Sequence, residues 1–300
     1  MILALSFQVV LRTGVFSFAS IGFFGIGGYL GSKLALRGLN ELLTVVIVVL
    51  VCGCLGYLLS LPFVRLRGLY LGMVTIAFDQ VMLVVANNGG SLTGGPNGLF
   101  GVPNNVTTID LIVIAAIVVL LISQLERRYL GRLFEALRTD ENLAKSMGYE
   151  VLRNRNFIFC LSAALGGLAG ALESFSLSSF GTTSFGFSLV ITGLTMAVVG
   201  GVDSWFGAAI GAIFVVWFPV VATSINGNWQ AIIYGALIIV VVTFEPGGVY
   251  GLCRKAIRRL VALKRSSGRS DTDEKPELVM AVASKDSQVV ESDKLNGQSK

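Results

Sequence analysis

Apolar residues occur in long continuous runs along this chain, separated by short polar stretches. Several runs approach or exceed the ~18 to 20 residues that a helix needs to cross the ~30 Å hydrocarbon core of a bilayer. A membrane β-barrel would instead show strands of about ten residues with alternating polarity. The pattern predicts an all-α, polytopic transmembrane helical bundle with about eight to nine hydrophobic segments. The runs are 1–12, 15–36, 42–63, 69–86, 109–125, 157–178, 187–202, 206–225 and 229–246.

The first run, 1–12, is too short to span a bilayer alone. It either pairs with run 15–36 as a broken helix or belongs to a truncated span. Glycines at a spacing of four residues within the runs predict close helix–helix crossings, because small residues let helix backbones approach in lipid. The pairs are Gly27 and Gly31, Gly166 and Gly170, and Gly207 and Gly211.

Composition supports the membrane class, since 54% of the residues are hydrophobic and only 14% are charged. An average soluble domain has about 25% charged residues. The net charge of +5 does not indicate a nucleic-acid partner, because the basic residues lie in loops that flank apolar runs. The chain has no His, which excludes Ser-His-Asp catalysis and His metal sites. The four Cys lie inside or at the end of apolar runs and form no metal framework, and few polar groups cluster within the runs. We therefore expect a protein that is not an enzyme and holds no metal or cofactor.

The charge of the connections predicts the orientation of the bundle. The connection 126–156 and the segment after Gly251 are rich in Arg and Lys, whereas the 86–106 loop has no charge. The positive-inside rule places the first two in the cytoplasm and the 86–106 loop outside. Lys33 and Arg37 fit less well, because they would fall near the outer face.

Two domains are expected. Residues 1–253 form a transmembrane domain, with a cytoplasmic loop at 126–156. Residues 254–300 begin basic and continue as a polar sequence that lacks aromatic residues, which predicts a disordered cytoplasmic tail.

The stretch 131–148 interrupts the apolar pattern with an amphipathic sequence. Thr139 is placed to cap a second short helix, with Asp140 and Glu141 at its positive end. Gly148 is placed to end that helix in a left-handed conformation. The stretch is either an interfacial helix or solvated loop, or a docking element for a cytoplasmic partner.

Polar side chains inside apolar runs are costly in a membrane unless they face a cavity or a partner. They are therefore candidates for a translocation path, and interhelical hydrogen bonding is the alternative interpretation. Gln8 and Ser17 are weaker candidates of the same kind. The stronger candidates are Ser20, Thr75, Asp79, Gln80 and Glu173.

Several segments, in order, resemble one family. With its flanks, "EALRTDENLAKSMGYEVLRNRNFIFCLSAALGGLAGAL" (135–172) resembles the cytoplasmic loop and following helix of ABC-transporter permeases for branched-chain amino acids, of the LivM type. The resemblance covers most of residues 1–253, which makes this part the permease domain and 126–156 its coupling loop. The other matching segments are "FFGIGGY" (23–29), "RLRGLYLGMVTIAF" (65–78), "LTGGPNGLFGVP" (92–103), "VVGGVDSWFGAAIGA" (198–212) and "FEPGGVYGL" (244–252).

The resemblance implies that a short helix ending in Gly docks on an ATPase subunit. Its matching positions here are Asp140, Glu141, Ala144 and Gly148. Additional N-terminal sequence is usual in the family and absent here, and Ser20 stands where the family commonly has Gln or His, which leaves the exact substrate open. The long polar tail is not a family hallmark.

The implied function is an ATP-driven importer of branched-chain or other hydrophobic amino acids, with this chain as half of the pathway. The chain has no G-x-x-x-x-G-K-[ST] loop, so ATP would be bound by partner subunits. The implied location is a bacterial plasma membrane, multi-pass, with a cytoplasmic C-terminus. Urea or amide import by the same family and ion-coupled secondary transport, using Asp79 or Glu173, are the alternatives. The implied partners are a homologous (LivH-like) permease, two ATPase subunits, an external binding protein and membrane lipid.

Overall fold

The structure is a computed structural model of the 300-residue chain. It describes residues 1–63, 65–66, 68–103, 106–125, 131, 145–146, 148, 150–201 and 205–223. The predicted run 229–246, the predicted tail 254–300 and the candidate residues Asp140, Glu141 and Ala144 lie outside the described residues. The described residues belong to one unit, Met1–Leu252.

The described part of the chain is almost entirely helical, which confirms the predicted all-α polytopic bundle. Within this part, four segments are long and apolar enough to cross a bilayer: Glu41–Phe63, Leu69–Asn88, Val151–Leu177 and Thr182–Gly200. The helices are α1 (Ile2–Leu11), α2 (Ser20–Leu36), α3 (Glu41–Phe63), α4 (Leu69–Asn88), α5 (Thr108–Leu125), α6 (Val151–Leu177), α7 (Phe187–Gly200) and α8 (Trp205–Thr223).

Two helix boundaries differ from the apolar runs. The run 15–36 is helical only from Ser20 onward. Residues 12–19 form turns and irregular backbone that separate α1 from α2. Helix α6 begins at Val151, six residues before the predicted run at 157. Val151 and Asn154 are buried, so packing extends the helix through a stretch that hydropathy alone ends.

Helix α2 is the central element of the described bundle. Twelve of its 17 residues are buried, compared with five of 20 in α4, and it packs against α3, α4 and α6. The outer helices expose large apolar side chains such as Leu50 (66% exposed), Met73 (66%) and Leu120 (61%). Such faces are stable in hydrocarbon and costly in water.

Glycine permits the close crossing of α2 and α6. A Cβ atom at Gly27 would overlap the backbone of Gly167, and one at Gly170 would overlap the carbonyl oxygen of Phe24. Helices α7 and α8 cross in the same way, where Gly211 faces the backbone of Gly200. The crossings predicted from the glycine pairs are therefore confirmed.

Helices α2 and α4 run parallel, as successive contacts along the two helices and the residues that flank them show. Phe18 contacts Thr75, Gly22 contacts Asp79, and Lys33 contacts Ser91. The loop that follows α4 and the loop that follows α6 meet at one end of the bundle. There β1 (Leu99–Phe100) pairs antiparallel with β2 (Ser179–Phe180). We call this end, which the charge pattern predicts to face outward, the loop end.

Candidate functional site

Asp79, the acidic residue in the middle of α4, caps the N-terminus of α2. Its Oδ1 atom accepts a hydrogen bond of 2.7 Å from the backbone N–H of Gly22, which is in the first turn of α2. First-turn N–H groups have no partner within their own helix, and they carry the positive end of the helix dipole. Asp79 is only 3% exposed, so this contact stabilises the carboxyl group where water is absent.

The contact between Asp79 and Gly22 depends on the missing side chain of Gly22. A Cβ atom there would lie 2.9 Å from Oδ1 of Asp79 and would overlap the ring of Phe78. The second carboxyl oxygen of Asp79, Oδ2, is buried and has no hydrogen-bond partner within the described ranges. Oδ1 of Asp79 therefore joins α4 to α2, and Oδ2 takes no part in that contact.

Thr75 makes the equivalent contact one turn earlier. Its hydroxyl accepts a 3.0 Å hydrogen bond from the backbone N–H of Phe18. The same hydroxyl shares its single hydrogen within α4 between the carbonyl oxygens of Leu71 and Gly72, both at 2.9 Å. Thr75 and Asp79 thus form a two-point clamp on the start of α2, as expected of residues four apart on one helix face.

Ser20 takes part in a different buried connection, which joins three helices. The Oγ atoms of Ser20 and Ser162 are 2.9 Å apart, and Ser162 donates to the carbonyl oxygen of Ser6 at 2.9 Å. Because Ser162 uses its hydrogen on Ser6, Ser20 donates to Ser162. This relay links α2, α6 and α1. Nearby, Gln8 donates from Nε2 to the carbonyl oxygen of Gly201 at 2.9 Å.

The two other pathway candidates do not join these clusters. Gln80 is half-buried on α4, beside Asp79 in sequence but on another helix face. Glu173 is half-buried near the end of α6. The structure therefore brings Thr75 and Asp79 together and leaves Ser20, Gln80 and Glu173 in separate surroundings.

Of the four coupling candidates, Gly148 lies among the described residues. It has φ +82°, and its N–H donates to the carbonyl oxygen of Lys145 at 3.0 Å. A positive φ favours glycine over other residues. The predicted left-handed conformation of Gly148 is confirmed, while its role in coupling stays a prediction.

A cavity of about 350 Å³ lies between α2 and α4 at the loop end, and we call it the α2–α4 cavity. Sequence reasoning missed it. One signal was available, since Tyr29, Lys33 and Arg37 recur every fourth residue and therefore share a face of α2. The cavity is lined by these three residues together with Met82, Ala86 and Phe185.

The apolar helices and the few polar groups inside the bundle define a multi-pass membrane protein. Among known families, the one described as "Branched-chain amino acid transport system / permease component" matches residues 1–242. The chain belongs to this family of transport permeases, as its sequence motifs predicted.

Three relatives share most of their length with the chain. It is 29% identical over 293 residues to the high-affinity branched-chain amino acid transport system permease protein LivM of Salmonella typhimurium, which covers 86% of this chain and 69% of the relative. The LivM protein of Escherichia coli matches to the same extent. A probable LivM permease of Methanocaldococcus jannaschii is 22% identical over 269 residues, which covers 76% of this chain and 77% of the relative. No solved structure matches the chain significantly.

Proposed function

We propose that this chain is a permease subunit of an ATP-driven importer of branched-chain amino acids and forms half of the translocation pathway. The observation that carries the proposal is the family match over residues 1–242. The named LivM relatives are branched-chain amino acid permeases, and they match along most of the chain rather than at one motif.

The chemistry of the described bundle supports a solute with a bulky apolar part. The buried polar groups of the clamp and of the serine relay are mostly hydrogen-bonded to each other or to backbone. The α2–α4 cavity has mainly aliphatic and aromatic walls. A sugar needs many converging hydrogen-bonding groups, whereas an amino acid with a branched side chain needs few.

ATP would be hydrolysed by two cytoplasmic subunits that dock on the amphipathic stretch 131–148. The left-handed Gly148 supports this proposal, because such a residue ends a helix and orients it relative to the next segment. A homologous permease would complete the pathway, and an external binding protein would deliver the solute. Four predicted hydrophobic segments separate this stretch from the basic C-terminal region, so the C-terminus would also be cytoplasmic.

Reconstitution tests the proposal. The chain, with the subunits that co-purify with it and the cognate binding protein, is placed in vesicles. We expect ATP-dependent uptake of labelled leucine that persists when ionophores collapse the proton and sodium gradients. Uptake that stops with an ion gradient while ATP stays high would identify a secondary transporter. Uptake of urea in place of leucine would identify an amide permease of the same family.

The coupling stretch is tested with Gly148→Asp and Glu141→Lys. In both variants we expect ATP hydrolysis to continue without leucine uptake, because the docking helix no longer relays closure of the ATPases. Gly101→Asp is a matched control, since Gly101 also has a positive φ (77°) and lies in the loop that follows α4. If Gly148→Asp and Glu141→Lys both remain coupled, stretch 131–148 is not the docking element.

A further inference from the structure

The geometry points to a binding subsite for the transported amino acid in the α2–α4 cavity, where Lys33 and Arg37 take its carboxylate and the hydroxyl of Tyr29 takes its amino group. This inference rests on the proposed function and names the residues that would recognise the substrate. It separates these residues from the clamp formed by Thr75 and Asp79, neither of which lines the cavity.

The hydroxyl of Tyr29 is the most specific sign of a ligand. Tyr29 is only 8% exposed, and its hydroxyl has no hydrogen-bond partner in the part of the chain that the structure describes. A buried hydroxyl without a partner has lost its hydrogen bonds to water without replacement, so such groups are rare in well-packed proteins. Tyr29 lines the α2–α4 cavity, and the proposed ligand would be the partner that this enclosed hydroxyl lacks.

The ring of Tyr29 is held in one orientation by neighbouring aromatic residues. It meets the ring of Phe180 edge-on, with centroids 5.1 Å apart at 89°, and the ring of Phe185 at 6.0 Å and 81°. Phe180 and Phe185 stack on each other at 6.0 Å. Such contacts restrict the ring, so the hydroxyl position is organised before a ligand arrives.

Two cations lie on the same face of α2 as Tyr29. Lys33 Nζ donates to the carbonyl oxygens of Ser91 at 3.2 Å and Leu92 at 3.4 Å, which uses two of its three hydrogens. Arg37 is exposed at the end of α2. No carboxylate among the described residues pairs with either side chain. The cavity therefore presents positive charge that a carboxylate would neutralise.

The remaining walls suit a compact apolar side chain. Ile26, Leu30, Met82, Val85 and Phe185 line the cavity, and its volume of about 350 Å³ is at the lower end of the range for small-molecule sites. Thr93 also lines it, but its hydroxyl already donates to Ala86 at 2.7 Å. The lining thus combines cations, the Tyr29 hydroxyl and apolar walls, which match a carboxylate, an amino group and a branched alkyl group.

The test measures direct binding of leucine, without the binding protein, to the full chain together with its co-purifying subunits. Tyr29→Phe removes only the unpaired hydroxyl, and we expect it to weaken leucine binding about threefold to tenfold. Tyr57→Phe is the matched control, because Tyr57 lies on α3, is 49% exposed and does not line the cavity. Equal affinities in the two variants would overturn the proposal.

A ligand analogue tests the role of Lys33 and Arg37 on the unmodified protein, so this first comparison does not depend on the folding of a mutant. Leucinamide lacks the carboxylate, and we expect the unmodified protein to bind it at least about tenfold more weakly than leucine. In the double variant Lys33→Gln/Arg37→Gln this preference should disappear. Equal binding of leucine and leucinamide by the unmodified protein would contradict the assignment of the cations.

An anionic lipid is the competing occupant of the α2–α4 cavity, and vesicle composition distinguishes it from leucine. If vesicles with phosphatidylglycerol, compared with phosphatidylcholine alone, displace leucine from the unmodified protein, the cavity holds the lipid and the proposal is wrong. If the unmodified complex imports leucine while Tyr29→Phe binds and transports it normally, the subsite fails and the proposed function stands. If the unmodified complex imports no leucine, the proposed function itself fails.

Discussion

Helices α2 and α4 meet at two levels that differ in almost every physical respect. Near the start of α2 they are so close that Gly22 has no room for a Cβ atom. There Asp79 accepts from the N–H of Gly22 in α2, and Thr75 accepts from the N–H of Phe18 just before α2. Toward the loop end they separate around a cavity of about 350 Å³, which is lined by Tyr29 with its unpaired hydroxyl.

The clamp and the cavity show two different uses of polar groups in a membrane protein, one for stability and one for the proposed ligand. At the clamp, polar side chains satisfy backbone groups that nothing else reaches, so their role in stability is direct. At the cavity, the Tyr29 hydroxyl has no partner among the described residues, and Tyr29 lines open space between the two helices. A polar residue inside a bundle is thus a stronger site candidate when its hydrogen bonds are incomplete and space adjoins it.

The largest effect is expected from Gly22→Ala at the clamp. The added methyl group would overlap Phe78 and lie 2.9 Å from the carboxylate of Asp79, so we expect a loss of about 3 kcal/mol in the free energy of unfolding. The measurement is SDS-driven unfolding of the purified protein. Gly72→Ala is the control on the same interface, because its Cβ would lie 3.4 Å from the ring of Phe18, an ordinary contact. Equal losses in both variants would contradict the tight clamp.

Replacing Asp79 with Leu should come next. It leaves the Gly22 N–H buried without an acceptor, which costs about 2 kcal/mol. Asp79→Asn retains an acceptor oxygen, so we expect nearly normal stability in the same unfolding experiment. Leucine uptake per assembled Asp79→Asn complex then tests the pathway role of the carboxylate, because Oδ2 is the atom not used by the clamp. Unchanged uptake would make Asp79 purely structural.

The apolar runs predicted most helices and the glycine crossings, but not the partners of the polar residues. Asp79 was recognisable as an unusual residue from its surroundings in the sequence. Its partner was not, because it is the backbone N–H of Gly22, and any residue but proline carries such a group. The early start of α6 at Val151 was also hidden, since tertiary packing rather than hydropathy sets it.

The cavity was hidden for a further reason. Tyr29 lies in a glycine-rich apolar run, where an aromatic residue normally indicates packing. Its functional interest arises from a hydroxyl without a partner among the described residues, beside a cavity. The ring contacts that hold this hydroxyl in place are with Phe180 and Phe185, which are far away in the chain. Lys33 and Arg37 were noticed as exceptions to the charge pattern, but a sequence pattern does not show that they line a cavity.

A smaller effect than that of Asp79→Leu is expected from Thr75→Val, which keeps the shape of the side chain and removes its hydroxyl. The N–H of Phe18 loses its acceptor, for which we expect about 1 kcal/mol in the free energy of unfolding. Thr192→Val is the matched control, because Thr192 is half-buried and its hydroxyl donates to the carbonyl oxygen of Ser188 within its own helix, away from the α2–α4 contact. Losses of the same size in both variants would show that the contact to Phe18 does not stabilise the helix pair.

The smallest change in stability is expected from Ala86→Val in the α2–α4 cavity. Like Gly22→Ala, it adds carbon atoms between α2 and α4, but here they can occupy empty space. We therefore expect a change within about 0.5 kcal/mol in the free energy of unfolding, together with weaker leucine binding because the cavity is partly filled. A loss of stability as large as that of Gly22→Ala would mean that α2 and α4 pack as tightly around the α2–α4 cavity as they do at the clamp. Unchanged leucine binding in a stable Ala86→Val protein would mean that the α2–α4 cavity does not hold the substrate.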